Sequence, residues 1–265
     1  MANQLPEPEM RSKRSFPRTN DYHHGDLRNA LIAAGRRALQ DISPQDLSLR
    51  YLAKVVGVSE AAPSRHFAGM DALLAAIAAG GFRELAALRA DIQSSGDDVM
   101  STAYRMMRVY VEFAMHHKGL FGLMIGPRIV SRTAHPELSE EASRSFQLFA
   151  GAIEALAIEN GWKPNQLNLV AHAAWSMEHG LATLTISNRV PRADRPVSVE
   201  PMIDFAIAAF LGAVTAGPAH LNKVLTRLPK SVKQTEPETK PELALRSPGK
   251  RMISSTKVSP KRRRS

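Results

Sequence analysis

An all-α fold is predicted for this 265-residue chain on three observations. Apolar residues recur every three or four positions along nearly the whole central region, the period of a half-buried helix. No segment sustains the two-residue alternation of Val, Ile and Thr that a strand needs. Turn-forming pairs interrupt the periodic stretches at helical lengths, as at Gly126-Pro127 and Asn160-Gly161.

Each element can be justified in order. Leu27, Ala30, Leu31, Ala34 and Ala38 form the first stripe, with Asp26 favourably placed in the first turn. It ends near Ile42-Ser43-Pro44, because the residue before a proline is driven out of the helical region. A second helix starts after Ser48 and buries Leu49, Leu52, Ala53 and Val56. Gly57 turns the chain, and Ser59 caps a short third helix reaching His66 or Phe67. A long helix over 71–93 follows Gly69, weakened by Gly80 and Gly81 at about 1 kcal/mol each. Further helices are expected over 99–117, 136–159, 165–187 and 200–216.

Two short helices joined at Gly57, with Leu52, Val56 and Val58 as apolar contacts and Ala53 allowing close approach, form a helix-turn-helix pattern. Taken alone, it serves DNA binding or plain packing. The string Tyr22-His23-His24-Gly25-Asp26-Leu27-Arg28, with Gly57-Val58-Ser59-Glu60-Ala61-Ala62-Pro63-Ser64-Arg65-His66-Phe67, resembles the N-terminal region of TetR-type transcriptional regulators across residues 22 to 90. Downstream, Trp175-Ser176-Met177-Glu178-His179-Gly180-Leu181-Ala182 is similar to the Trp–His–Gly signature of one C-terminal class in that family. The resemblance implies a homodimer whose subunit has a three-helix DNA-binding domain over 20–70. A helical-bundle domain for ligand binding and dimerisation follows over 71–217.

The resemblance also places Ser59, Glu60, Ala61, Ala62, Ser64, Arg65 and His66 on a recognition helix in the major groove. Ser48, Arg50 and Tyr51 would then approach the DNA backbone. Helix N-termini at Ser48 and Ser59 offer N–H groups to phosphates, and Arg65 can reach guanine or phosphate. The chain departs from the family at Ser64, where a tyrosine is usual, and at Met70, where a lysine is common. One missing cation per protomer should make the salt slope of binding shallower by roughly 2 units per dimer.

Composition narrows the remaining classes. Cysteine is absent, which excludes disulfides, thiol catalysis and cysteine-based metal centres. Lys and Arg number 35 against 25 acids, a balance of +10. From Pro218 onward thirteen basic residues face three glutamates, so that segment holds the entire surplus. Residues 218–265 are rich in Pro, Ser, Thr and Lys and are expected to be a disordered basic tail. The opening 1–19 is expected to be a disordered arm with cations at Arg11, Lys13, Arg14 and Arg18. Either segment could hold the chain near DNA in place of the missing cation.

The N-terminus lacks a signal-peptide core. The longest apolar run, Phe205 to Gly217, has about 13 residues where a membrane span needs roughly 20. A soluble, cytoplasmic protein with no membrane partner is expected. There is no Gly-rich phosphate loop and no nucleophile elbow, so no catalytic residue and no cofactor is assigned. No metal site is assigned either. His23-His24 and His116-His117 are adjacent and point apart, while His172 and His179 sit about 10 Å from each other along a helix.

Met107, Tyr110, Phe113 and Met124 form a flexible apolar group that suits a hydrophobic effector pocket, although core packing explains them equally. His172, Trp175 and His179 share a helical face. Either Trp175 and His179 wall the pocket, or Trp175 packs in the core and the histidine is satisfied by backbone. The structural alternative is the default. Glu137, Glu140 and Glu141 are expected to complement a helix dipole and otherwise be solvated. Ala171, Ala174 and Ala182, with Ala206, Ala208, Ala209, Gly212 and Ala213, permit close packing, either within one subunit or in a four-helix dimer interface.

The function the resemblance implies is a sequence-specific transcriptional repressor, released from a palindromic double-stranded DNA operator by a small-molecule effector. The alternatives are a non-specific architectural nucleic-acid-binding protein driven by the basic tail, and a small-molecule carrier.

Overall fold

Asp26 begins α1 (Leu27–Ala38), its Oδ1 accepting from the Asn29 N–H at 3.3 Å. The buried stripe Leu27, Leu31, Ala34, Gly35 and Ala38 turns inward. Gly35 allows close packing, because a Cβ there would press on Ile77 of α3 and reach Leu52 of α2. The elements are α1, α2 (Leu49–Val56), a 3-10 turn at Pro63–Arg65, α3 (Met70–Gln93), α4 (Val99–His116), α5 (Lys118–Ile125), α6 (Pro136–Glu159), α7 (Pro164–Ile186), α8 (Val199–Thr215) and α9 (Gly217–Arg227). This computed structural model describes residues 26–127, 129, 134–187 and 197–228, and no strand occurs among them. The expected arm over 1–19, the motif residues Tyr22 to Gly25 and the tail from 229 onward lie outside them. The chain divides into a unit over 1–225 and a second over 226–265.

The long helix α3 joins the N-terminal helices to the rest. It packs on α1 and, most extensively, on α6. Around it α4, α6 and α7 pack together and α8 closes against α4 and α7. Gly81 brings α5 close, since a Cβ there would lie 2.6 Å from Met124 Sδ and 3.3 Å from Leu120 Cδ1. At Gly119 a Cβ would collide with the Leu39 carbonyl, so the start of α5 rests directly on the end of α1. Trp162 Nε1 donates to the Val214 carbonyl at 2.8 Å, fastening the start of α7 to the end of α8. Among the described residues no single helix is long and apolar enough to cross a membrane.

Three expectations change. The helix expected over 99–117 stands as α4, and a short further helix, α5, follows at His117. The expected helix over 59–66 is a turn followed by one 3-10 turn. Pro63 is the cause: it lacks the N–H that would bond to the Ser59 carbonyl, and its ring crowds that carbonyl. Hydrogen bonds of shorter reach take over, from Ala62 N–H to Ser59 O at 3.0 Å and from His66 N–H to Pro63 O at 3.0 Å. The beginning of the expected tail is helical, as α9 runs to Arg227 after Gly217 turns the chain at φ +77°. Finally, only Glu137 lies in the first turn of α6, and both it and Glu141 are paired: Arg83 donates to Glu137 at 2.9 Å and to Glu141 at 2.7 Å.

Candidate nucleic-acid interface

The surface begins at Ser48, held extended at φ −138° and ψ 152°, whose Oγ accepts from the Tyr51 N–H at 3.1 Å. That cap starts α2 and is worth about 1 kcal/mol. Leu52 and Ala53 are buried under it. Gly57, at φ +81°, ends the helix: the Val58 N–H donates to the Ala53 carbonyl at 3.0 Å and the Gly57 N–H to the Lys54 carbonyl at 3.3 Å. This Schellman pairing requires a left-handed residue, which glycine adopts freely.

The chain then crosses back with Pro63 and Phe67 buried as anchors. The Arg28 guanidinium lies 5.6 Å over the Phe67 ring. Between the anchors Ser59, Glu60, Ala61, Ser64, Arg65 and His66 are exposed, and Ala62 is half-buried. Ser48, Arg50 and Tyr51 are exposed as well, so nine of the ten residues expected at DNA stand on the surface. One contact joins the two parts of this surface: Arg50 Nε lies 2.9 Å from Glu60 Oε1.

The N-terminal helices are clasped to the bundle at two places. Arg28 of α1 donates to Glu137 of α6 at 3.2 Å, and Arg36 of α1 pairs with Glu84 of α3, which also lies 3.6 Å from His117 Nε2. The Arg83 hydrogen bond holds the Glu137 carboxyl below its ordinary range, with Arg28 adding to it. A small cavity of about 230 Å³ sits at the first clasp, against Arg28, His66, Phe67 and Glu137.

Within the bundle, Met107, Tyr110, Phe113 and Met124 are all buried. The Tyr110 hydroxyl and His179 Nδ1 share a hydrogen bond of 2.9 Å, and the Tyr110 ring meets Phe121 edge-on at 5.2 Å. Trp175 lies 5.3 Å from His179 and is 40% exposed. The default expectation of a core tryptophan therefore fails. Ala171, Ala174 and Glu178 form the buried face of α7, and residue 175 falls off it. The backbone-satisfied histidine is His172, bonded to the Asn168 carbonyl at 2.8 Å, whereas His179 is bonded by a side chain. An open groove of about 590 Å³ lies elsewhere, between α4 and α8, against Met100, Tyr104, Ala208, Leu211 and Gly212.

Residues 103–210 match the family model described as a tetracyclin repressor-like C-terminal domain. A protein of unknown function from Rhodococcus sp. RHA1 is 30% identical, covered over 98% of its length by 73% of this chain, with a TM-score of 0.62. Residues 103–210 are thus a tetracyclin repressor-like C-terminal domain, carried on a fold that TetR regulators share. The fold agrees: the TetR family transcriptional regulator PfmR from Thermus thermophilus superposes at a TM-score of 0.51 and 16% identity, over 71% of this chain and 97% of that one. The ketosteroid transcriptional regulator KstR2 of Mycobacterium tuberculosis superposes at 0.50 and 15%, over 72% and 96%. No curated protein matches the chain in sequence.

Three features here escaped the sequence. The Arg50–Glu60 and Arg28–Glu137 pairs join residues whose pairing no local pattern announces. A third, the buried Arg89–Glu178 pair, links α3 to α7 at 2.9 Å. Of these only Glu178 left a sequence signal, as the one acid on an otherwise uncharged helix.

Proposed function

We propose that this chain is a homodimeric transcriptional repressor that binds a palindromic operator and leaves it when a small molecule enters the bundle. The observation that carries the proposal is the surface from Ser48 to His66. Polar and cationic side chains stand outward there from a segment anchored by Leu52, Ala53, Pro63 and Phe67. Serine hydroxyls, the Arg65 guanidinium and the amides at the start of α2 are the groups that contact phosphates and base edges.

The dimer is supported by two faces. Every exposed residue of α7 is uncharged, from Pro164 through Leu169, His172, Ser176 and Leu184. On α8 the exposed residues from Pro201 to Ala213 are Pro, Phe, Ala and Gly, and Phe205 is 77% exposed. A Cβ on Gly180 or Gly212 would meet nothing, so both helices leave room for a neighbour. Charge depletion over so wide an area is the mark of an interface centre. On α7 the small residues Ala171, Ala174 and Ala182 are spent inside the subunit; those of α8 face outward, apart from the half-buried Ala206. Phe205→Glu places a charge on this face and should convert a dimer to monomer in sedimentation, with at least a tenfold weaker association. A wild-type monomer, or an unaffected dimer in the variant, refutes the interface.

The effector is proposed to lodge among Met107, Tyr110, Phe113 and Met124, behind Trp175 and His179. This includes the finer assignment to a Trp–His–Gly class. Those side chains are packed in the present structure, so a ligand must separate α5 from α4 or α7. Because α5 rests on the end of α1 through Gly119, such a shift is passed to the DNA-binding helices. The ligand biases the equilibrium only by its difference in affinity between the two states.

The deciding experiment selects randomised double-stranded DNA against the full-length protein at about 150 mM salt, where weak phosphate binding is screened. A single palindrome is expected. A pool that stays random while DNA is retained would replace this function with tail-driven, non-specific binding.

A further inference from the structure

Glu60 is the odd charge on this surface. Its side chain is 65% exposed, on a segment that would lie against phosphates. Phosphates repel a carboxylate. The 3-10 turn that follows has no side-chain cap, so Glu60 does not serve the local backbone. Its described contact is Arg50, whose side chain is 81% exposed.

An acid is tolerated at a major groove where it accepts from a base amine. Two bases carry one there: adenine at N6 and cytosine at N4. The adenine amine stands beside N7, an acceptor whose lone pair opposes a carboxylate. On its own base the cytosine amine is flanked in the groove by the C5–H and by no acceptor. Arg50 Nε lies 2.9 Å from one carboxylate oxygen, and both side chains are largely exposed, so Glu60 has an oxygen to offer a base while the guanidinium has further N–H groups to offer a phosphate.

We propose that Glu60 is a specificity-determining residue that accepts the N4 amine of one cytosine in each half-site, with Arg50 as the residue that positions its carboxylate. This rests on the operator-binding function proposed above.

The test runs the DNA selection with the full-length wild type, Glu60→Gln, Glu60→Ala and Arg50→Ala. The exposure of both side chains lets the variants fold, which their melting curves check. The wild type should enrich a palindrome with a symmetric C·G column. Replacing that pair with A·T in both half-sites should weaken the wild type at least tenfold. In Glu60→Gln the preference should move toward adenine, because the amide pairs with N6 and N7 together. In Glu60→Ala it should vanish with no gain of adenine. Arg50→Ala should blunt the same column several-fold as well as weaken binding to all sequences.

A cytosine column unchanged in both Glu60 variants overturns the proposal and leaves the regulator standing. Uniformly tighter binding to every sequence with the column kept does the same, and reduces Glu60 to a merely repulsive charge. A random pool from the wild type removes both the operator and this inference.

Discussion

Two Arg–Glu pairs in this chain share one chemistry and have opposite surroundings. In both, a guanidinium nitrogen lies 2.9 Å from a glutamate oxygen. The Arg50–Glu60 pair stands in water at 81% and 65% exposure; the Arg89–Glu178 pair is sealed at 3% and 0%. Arg89 also donates to the Ser145 carbonyl at 2.9 Å and lies 4.9 Å over the Phe149 ring and 5.4 Å over Tyr110. Burial drives the Glu178 carboxyl up to about 8, against the pull of Arg89. The Arg50–Glu60 pair keeps its water, so it holds weakly and can rearrange when DNA arrives. The buried pair fixes α3, α6 and α7 together, while the exposed one remains available for binding.

The largest expected effect breaks the buried pair from one side. Arg89→Ala should cost roughly 3 kcal/mol in urea unfolding, towards the lower end of what removing one partner of a buried pair costs, because a protonated Glu178 leaves no bare charge behind. Replacing both partners, Arg89→Met with Glu178→Leu, should restore most of that loss, since a buried guanidinium and carboxyl are costly to desolvate even when paired. If the double variant is as unstable as the single one, the pair is itself a net source of stability.

A smaller effect follows from titration. Glu178 has its ordinary value near 4.5 in the unfolded chain and its raised value near 8 in the folded one. The fold binds the protonated form better, so this contribution is fully present below pH 4.5 and is lost as pH rises through 8. Wild-type melting temperature should therefore fall across that interval relative to Glu178→Gln, which keeps a neutral group beside Arg89. Parallel curves for the two proteins would mean that Arg89 holds Glu178 ionised throughout.

These pairs also mark where sequence reading stopped. Helix period, the Ser48 cap and Pro136 at the start of α6 were legible because each acts on its own few residues. The helix expected over 59–66 gives way at Pro63, a break that the sequence itself carries. The shared face of His172, Trp175 and His179 suits a core and a pocket wall alike, and it is Ala171, Ala174 and Glu178 that define the inward face of α7. Arg89 and Glu178 are 89 positions apart, and a lone charge in a helical stripe looks like solvated surface until the fold brings its partner. The start of α9 was hidden in a basic segment whose apolar residues, Val224 and Leu225, remain exposed.

The smallest effect on stability should come from the exposed pair, and there the contrast sharpens. Arg50→Ala removes a pair in water that contributes between about 0 and 1 kcal/mol, so its unfolding curve should nearly overlay the wild type. Its DNA binding should not. If each Arg50 also reaches one phosphate, a dimer loses two such contacts, and the slope of log affinity against log salt becomes shallower by roughly 2 units. Titration of operator DNA between about 50 and 200 mM salt measures that slope directly. An unchanged slope with an unchanged unfolding curve would show Arg50 to be a solvated side chain with no part at DNA. A marked loss of stability would show that the head, like the bundle, depends on its ion pair for its shape.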